Sequence, residues 1–439
     1  MFHCISGGRW PFLPALTLLA AIVPSPTRAQ DIAEAAPTGV QDVIAAQAVN
    51  PAGDLHLGML LEQAVTSHPS IAAAQAIIRA AGTDIRTARW QAFPSFSIQG
   101  LWLDQRAGSQ QVSLIVDQPV WTGGRISSSI RRAKAQHRAM IAAYQATVLD
   151  VMVNVSQSYR EYHRLDRKSA ILQESLARHR ELVETMERRV NQEISPLADL
   201  ELARSRTAQI EQQVATTAAQ RLSALQKLRE LVGDPGADPG SPPASGPLAH
   251  FDTDELVKRT LAFDPGRQRL MSEADAAQAE AASTRAAILP QLSAQYSYDE
   301  TYGHRAGLVL KAQSSGGLSS ITNAAAARQR QEAAELGVAA TERNLRERTV
   351  SDIAEYDSAR NRMASTRTAR DAAENVTQSY MRQFVSGRRT WLDVMNAVRE
   401  ATTAESDAVD AAASASEARD RLLMRSGSWP FPVQDRDMQ

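Results

Sequence analysis

The chain is poor in cysteine, aromatic residues and surplus charge. Its one cysteine, Cys4, lies near the N-terminus, within a stretch that reads as a leader. A mature chain without cysteine forms no disulfide and no thiolate metal site. Aromatic residues make up 5% of the total, too few for one thick core. Alanine is abundant, and that balance favours long helices whose backbones approach closely. The formal net charge is -1, which removes any strong bias towards nucleic acid or an acidic substrate. The eight histidines are scattered, none in a His-x-x-x-His pattern with glutamate. No glycine pair carries the lysine of a phosphate loop, and no dinucleotide pattern follows a strand. Neither an enzyme nor a cofactor is expected.

Residues 1–29 combine Arg9, an apolar stretch over 12–23 and a small-residue cleavage site at Thr27-Arg28-Ala29. This is a signal peptide, too short to span a bilayer as a helix; 30–49 follows as a linker. No later run of about 20 apolar residues appears, so no transmembrane helix is expected. An exported chain of this kind is secreted, periplasmic or a β-barrel, whose sequence signal is weak and alternating.

What is present is one plan written twice. In the first copy, 50–248, a helix (56–92) precedes a strand pair (93–120), a long helix (124–190) and a return helix (197–232). A proline- and glycine-rich loop, GDPGADPGSPPASGP (233–247), closes it. The second copy, 249–427, repeats the order with a helix (252–288), strand pair (290–313), long helix (318–384) and return helix (391–424). A tail, 428–439, ends the chain. Asp264-Pro265-Gly266 is expected to break or bend the helix 252–288.

The short segments alternate. Phe96, Ile98, Gly100 and Trp102 share one face; Val112, Leu114 and Val116 alternate with Ser113, Ile115 and Asp117; Ala306, Leu308 and Leu310 alternate with Gly307, Val309 and Lys311. Runs of about ten such residues suit tilted strands crossing a membrane. Trp102, Trp121, Tyr296, Tyr298 and Tyr302 suit interfacial girdles. Each strand pair runs into two glycines, Gly123-Gly124 and Gly316-Gly317, and then into a long helix. Neither long stretch contains proline, and the first contains no glycine beyond Gly124. At 1.5 Å per residue each reaches about 100 Å. Leu172, Leu176, His179, Val183, Met186 and Val190 fall at alternating steps of four and three residues, the spacing of a coiled coil. The long helices turn at Pro196 and Gly387.

Four strands cannot close a wall in lipid, because unpaired edges in hydrocarbon are costly. Several chains must contribute; sequence physics alone permits a dimer, a trimer or a larger ring.

QPVWTGGRI (118–126) and FVSGRRTWLDVMNA (384–397) resemble, respectively, the strand-to-helix element and the tip signature of the TolC-type outer-membrane channel family. The resemblance covers about 50–425, duplication included. It implies a homotrimer sharing a 12-strand barrel in outer-membrane lipid of a Gram-negative cell, four strands from each chain. It also implies a long α-helical periplasmic tunnel with a mixed equatorial region. Partners are expected to be a periplasmic adaptor (membrane fusion) protein and an inner-membrane ABC transporter or proton-driven pump, which supplies the energy. The family's tether at the closed tip corresponds to Asp199, Phe384 and Arg389. Phe384 stands where related chains have a tyrosine, leaving Arg389 with Asp199 as the candidate pair. Asp393 and Asn396 correspond to the aperture constriction; Asp393 also reads as an ordinary helix cap. The first tip carries Glu193 in place of the second tip's glycine. The segment RRVNQEISPLADLELARSR resembles the adhesin-exporting, type I secretion branch, so polypeptide export is expected ahead of small-molecule efflux. A coiled-coil structural or adhesive protein without a pore ranks below both.

Overall fold

The computed structural model describes residues 55–102, 110–241, 250–299, 302–312 and 317–429. The leader, the linker 30–49, Gly316, part of the loop 233–247 and most of the tail lie outside the described residues, as does the side chain of Trp102.

Twelve elements follow in chain order: α1 (Leu55–Ser67), α2 (Pro69–Trp90), β1 (Ser95–Trp102), β2 (Gln110–Trp121), α3 (Arg125–Asn191), α4 (Leu197–Val232), α5 (Thr253–Phe263), α6 (Pro265–Ala286), β3 (Gln291–Asp299), β4 (Gly303–Lys311), α7 (Ser319–Val385) and α8 (Trp391–Arg425). The four strands form one antiparallel sheet in the order β1-β2-β3-β4, so both copies contribute a hairpin to the same wall.

Both helices that precede a hairpin are broken at the same place. Asp264 caps α6, its carboxylate accepting from the Arg267 amide at 2.6 Å, with Pro265 as the first helical residue. The helix expected to run unbroken over 56–92 is likewise interrupted: His68 is extended and Pro69 opens α2. Proline lacks the amide that would continue α1, and it disfavours helical backbone in the residue before it.

The long helices α3 and α7 each hold 67 residues. Gly337 sits inside α7 without ending it, at a cost of about 1 kcal/mol relative to alanine. In the strand-proximal half α3 lies between α2 and α6, and α7 packs on α6; in the distal half α3 lies between α4 and α8, and α7 packs on α8. The distal half is therefore a layer in the order α4-α3-α8-α7. Position in the layer decides burial: α3 buries 24 residues and α7 only 7.

The largest core cluster lies midway, where α1 and the end of α4 cover α3. Leu57, Leu61, Ile71, Val148, Met152, Val155, Tyr159, Leu228 and Val232 pack there, with Trp429 from beyond α8. The middle of α3 is apolar enough to cross a membrane by length and composition alone, but Val148, Met152, Val155 and Tyr159 spend that apolarity on this core. The second copy repeats the device more sparely, α5 covering α7 through Leu256, Ile353 and Tyr356, with Phe251 edge-on to Tyr356 at 5.1 Å.

Candidate functional site

Register sorts the sheet into two unlike faces. Partners opposite one another project to the same side, so the pairing can be read across all four strands. Phe96, Val116, Tyr296 and Ala306 form one row; Ile98, Leu114, Tyr298 and His304 form the next. Leu308 with Ala294, and Leu310 with Leu292, continue the same side towards the helices. Phe96 is 78% exposed and Leu308 69% exposed within the chain, so these apolar side chains lack a protein cover of their own.

The rows between them are polar. Ser95, Asp117, Gln295 and Gly307 align, as do Ser97, Ile115, Ser297 and Arg305. Here Lys311 donates to Asp117 at 2.7 Å, Ser293 donates to the same carboxylate at 3.1 Å, and Arg305 pairs with Asp299. Water satisfies such groups and hydrocarbon does not, whereas the opposite face suits hydrocarbon. Trp121, about half exposed, and Tyr302, mostly exposed, lie at opposite ends of the sheet, whereas Tyr296 stands in a row between them.

The glycine turns join this sheet to the long helices. Gly123 and Gly124 both adopt positive φ, 60° and 89°. A Cβ on Gly123 would stand 2.9 Å from Leu289 at the foot of the second hairpin, so the two copies close on each other there. In the second copy Gly317 has φ 67° while Leu318, at φ -90°, caps α7. Counted from the helix starts, Gly317 therefore stands opposite Gly123, and the glycine pairing is displaced by one residue from the sequence match.

At the far end the two tips repeat closely. Amides of Gln192, Glu193 and Ile194 return to the carbonyls of Arg188, Val190 and Arg189; amides of Ser386, Gly387 and Arg388 return to Arg382, Phe384 and Gln383. Gly387 has φ 73°, and Glu193 takes the same left-handed position at φ 59°, which costs a residue with a Cβ about 1–2 kcal/mol. The return helices differ in their caps. Thr390 and Asp393 form a reciprocal capping box, whereas Pro196 caps α4 without a side-chain bond. The hydroxyl and amide of Thr390, with Arg389 nearby, hold the Asp393 carboxyl below its ordinary range. The helix-cap role of Asp393 is thus realised in the chain.

Arg389 and Asp199 do not pair within the chain. Arg389 lies over the Tyr380 ring at 4.3 Å, donates to Gln383 at 3.4 Å and reaches Asp393 at 3.8 Å. Phe384 receives a different cation, Arg189 of α3, at 5.4 Å from its ring centre. Arg189 also donates to Ser195 at 3.2 Å. Both tips therefore carry a bond from the last helical turn to the residue six positions on, with donor and acceptor exchanged: Arg189 to Ser195 in one, Arg389 to Gln383 in the other. No signal in the sequence pointed to Arg189 or Tyr380.

Beneath these contacts Leu182, Met186, Leu200, Trp391, Val394 and Val398 form a tip core spanning α3, α4 and α8. Asn396 lines a small groove, about 150 Å³, with His179, Trp391, Met395, Arg206 and Arg399. His179 is buried, its Nδ1 bonded to the Ser175 carbonyl at 2.8 Å, and desolvation lowers its pKa. No group of histidine, cysteine or carboxylate side chains suited to a metal occurs among the described residues.

Comparison with known proteins accords with this arrangement. Residues 60–234 match the model of the outer membrane efflux protein family. Among solved structures, the outer-membrane channel OprN superposes with a TM-score of 0.76 at 17% identity, covering 85% of this chain and 90% of that one. VceC, an outer membrane protein from Vibrio cholerae, gives 0.73 at 18% identity, covering 84% and 96%. The open state of the MtrE outer membrane channel from Neisseria gonorrhoeae gives 0.69 at 17% identity, covering 85% and 89%. Structural likeness at this level of identity shows the fold alone. No curated protein matches the chain in sequence.

Proposed function

We propose, from the match of residues 60–234 to the outer membrane efflux protein family and from the TolC-type fold, that three copies of the chain form a passive exit duct in the Gram-negative outer membrane. The single observation that carries this reading is the two-faced sheet. Its apolar face seeks lipid, its polar face seeks water, and its edge strands β1 and β4 have free flanks that only further strands can satisfy. Three such sheets give twelve strands, enough to close a barrel in which the polar faces line the bore. The helical layer continues that wall, with the free flank of α7 meeting the α2 and α4 side of the next chain.

The duct performs no chemistry. An inner-membrane pump, joined by a periplasmic adaptor, supplies the energy, and the tip opens when they engage. At rest, Arg389 of one chain meets Asp199 of the next, a half-exposed pair worth about 0.2–1 kcal/mol and so within an adaptor's power to displace. Asp393, repeated three-fold, narrows the entrance as a carboxylate ring with Asn396 one turn inside; the like charges attract cations.

The family match favours efflux of small molecules through a tripartite pump. The likeness of 188–206 to the adhesin-exporting branch supports a second reading, secretion of a polypeptide. Deleting the gene separates them: sensitisation to toxic small molecules marks the first, and loss of a polypeptide from the medium marks the second.

The duct itself is tested in planar bilayers. Heat-resistant trimers extracted from outer membranes should conduct ions, and the double variant Arg389→Ala/Asp199→Ala should conduct more at rest. A soluble fibre without a membrane fraction rejects the duct; equal conductance of variant and wild type rejects the tether.

A further inference from the structure

We infer that Arg189 is a gate-positioning residue: through the Phe384 ring it latches the two tip hairpins of one chain together across α8. This rests on the duct reading and assigns a residue to its resting state. In the distal layer α8 separates α3 from α7, so any side chain joining those two helices must bridge over it. Two arginines of α3 do so. Arg178 reaches Glu374 at 3.3 Å, and about three turns further on Arg189 places its guanidinium over the Phe384 ring, 5.4 Å from the centroid.

Several features aim Arg189 at the ring. Its Nε donates to Ser195 in the tip turn at 3.2 Å, which fixes the guanidinium at the helix end. Phe384 packs against the tip core formed by Leu182, Met186 and Trp391, so the ring is held from behind while one side meets the cation. Both residues are partly buried, and partial desolvation strengthens a cation–π contact. The repeat excludes a generic tip contact: the positions equivalent to Arg189 and Phe384 are Gln383 and Val190, which have neither charge nor ring. The latch therefore exists once per chain, between unlike hairpins.

Its chemistry differs from a tether built on a carboxylate. The ring does not titrate, so the contact keeps its strength at pH values where carboxylates are protonated. It joins hairpins within a chain, leaving Arg389 and Asp199 for the contact between chains. Separating α7 and α8 from α3 requires Arg189 to leave the ring as well as parting the apolar core beneath.

The test measures resting conductance of reconstituted trimers. Arg189→Gln and Phe384→Leu should each raise the open fraction about two- to thirty-fold, and the double variant no more than the larger single effect. Phe384→Tyr, which keeps the ring, should stay within about twofold of wild type. Ser195→Ala leaves the apolar core intact and frees Arg189, so it should shift conductance in the same direction. Single variants at wild-type conductance, or a double variant equal to the product of the singles, would overturn the latch alone. Trimers that conduct nothing in wild type and in every variant, the Arg389→Ala/Asp199→Ala double included, would overturn the duct reading and the latch with it.

Discussion

Ala306 and Gly307 are neighbours on β4, both exposed within the chain, yet register sets them on opposite faces. Ala306 shares its row with Tyr296, and the Tyr296 row continues through Val116 to Phe96. Gly307 shares its row with Gln295, and that row continues to Asp117. Arginine at 306 therefore enters the middle of the lipid face, where it costs about 2–4 kcal/mol. At about 1.4 kcal/mol per factor of ten, this weakens insertion roughly thirty- to several-hundred-fold per chain. Arginine at 307 enters a water-lined row near Asp117 and should cost less than about 1 kcal/mol. Neither change removes a packed side chain, so the difference isolates the environment. The assay is urea-titrated refolding into lipid vesicles, read by formation of the heat-resistant trimer. Ala306→Arg should shift the midpoint strongly and Gly307→Arg little. Equal shifts, or the reverse order, would refute the assignment of faces and with it the barrel.

Two further outcomes follow from the tip. Glu193→Gly relieves the left-handed backbone strain and should stabilise the first hairpin by about 0.5–1 kcal/mol after glycine's greater unfolded-state entropy is counted; slower hydrogen exchange around 188–200 would register it, and faster exchange would contradict the strain. His179 has a folded-state pKa below its ordinary 6.5, so the unfolded chain takes up its proton first as pH falls. The stability held by neutral His179 is complete above that ordinary value and is lost as pH drops through the depressed one. Thermal stability should therefore fall on acidification through this range, and His179→Gln should remove that component; an unchanged pH profile would reject it.

Period and punctuation made much of this architecture legible. Alternation over Phe96–Ile98 and Ala306–Leu310 gave the strands, and the long stretches without proline gave α3 and α7. The break at Asp264-Pro265 was readable because aspartate caps and proline opens a helix. The same break at His68-Pro69 passed unmarked, since histidine is a weak capping signal. Which face of a strand meets lipid became clear only with register, because Ile115 and Val309 lie on the polar side and blur each strand taken alone. The Arg189–Phe384 contact was beyond reading: it joins residues of different copies across an intervening helix, and nothing local to either predicts the other. Arg389 was noticed, but its preference for Tyr380 and Asp393 over Asp199 depends on the shape of its own turn.

The unequal burial of α3 and α7 has a consequence for how the molecule comes into being. The earlier-synthesised half covers its long helix far more fully, whereas the later half leaves Leu336, Val350 and Val376 at 64%, 49% and 45% exposure. A newly exported subunit is thus adhesive along its α7 flank, and its α2 and α4 flank also shows Ile77 and Leu222, with strand edges above. Such a species is safest when short-lived, so recruiting siblings doubles as protection from misassociation. Trimer yield should accordingly depend steeply on subunit concentration, with stranded monomers removed by proteolysis or lost to aggregates.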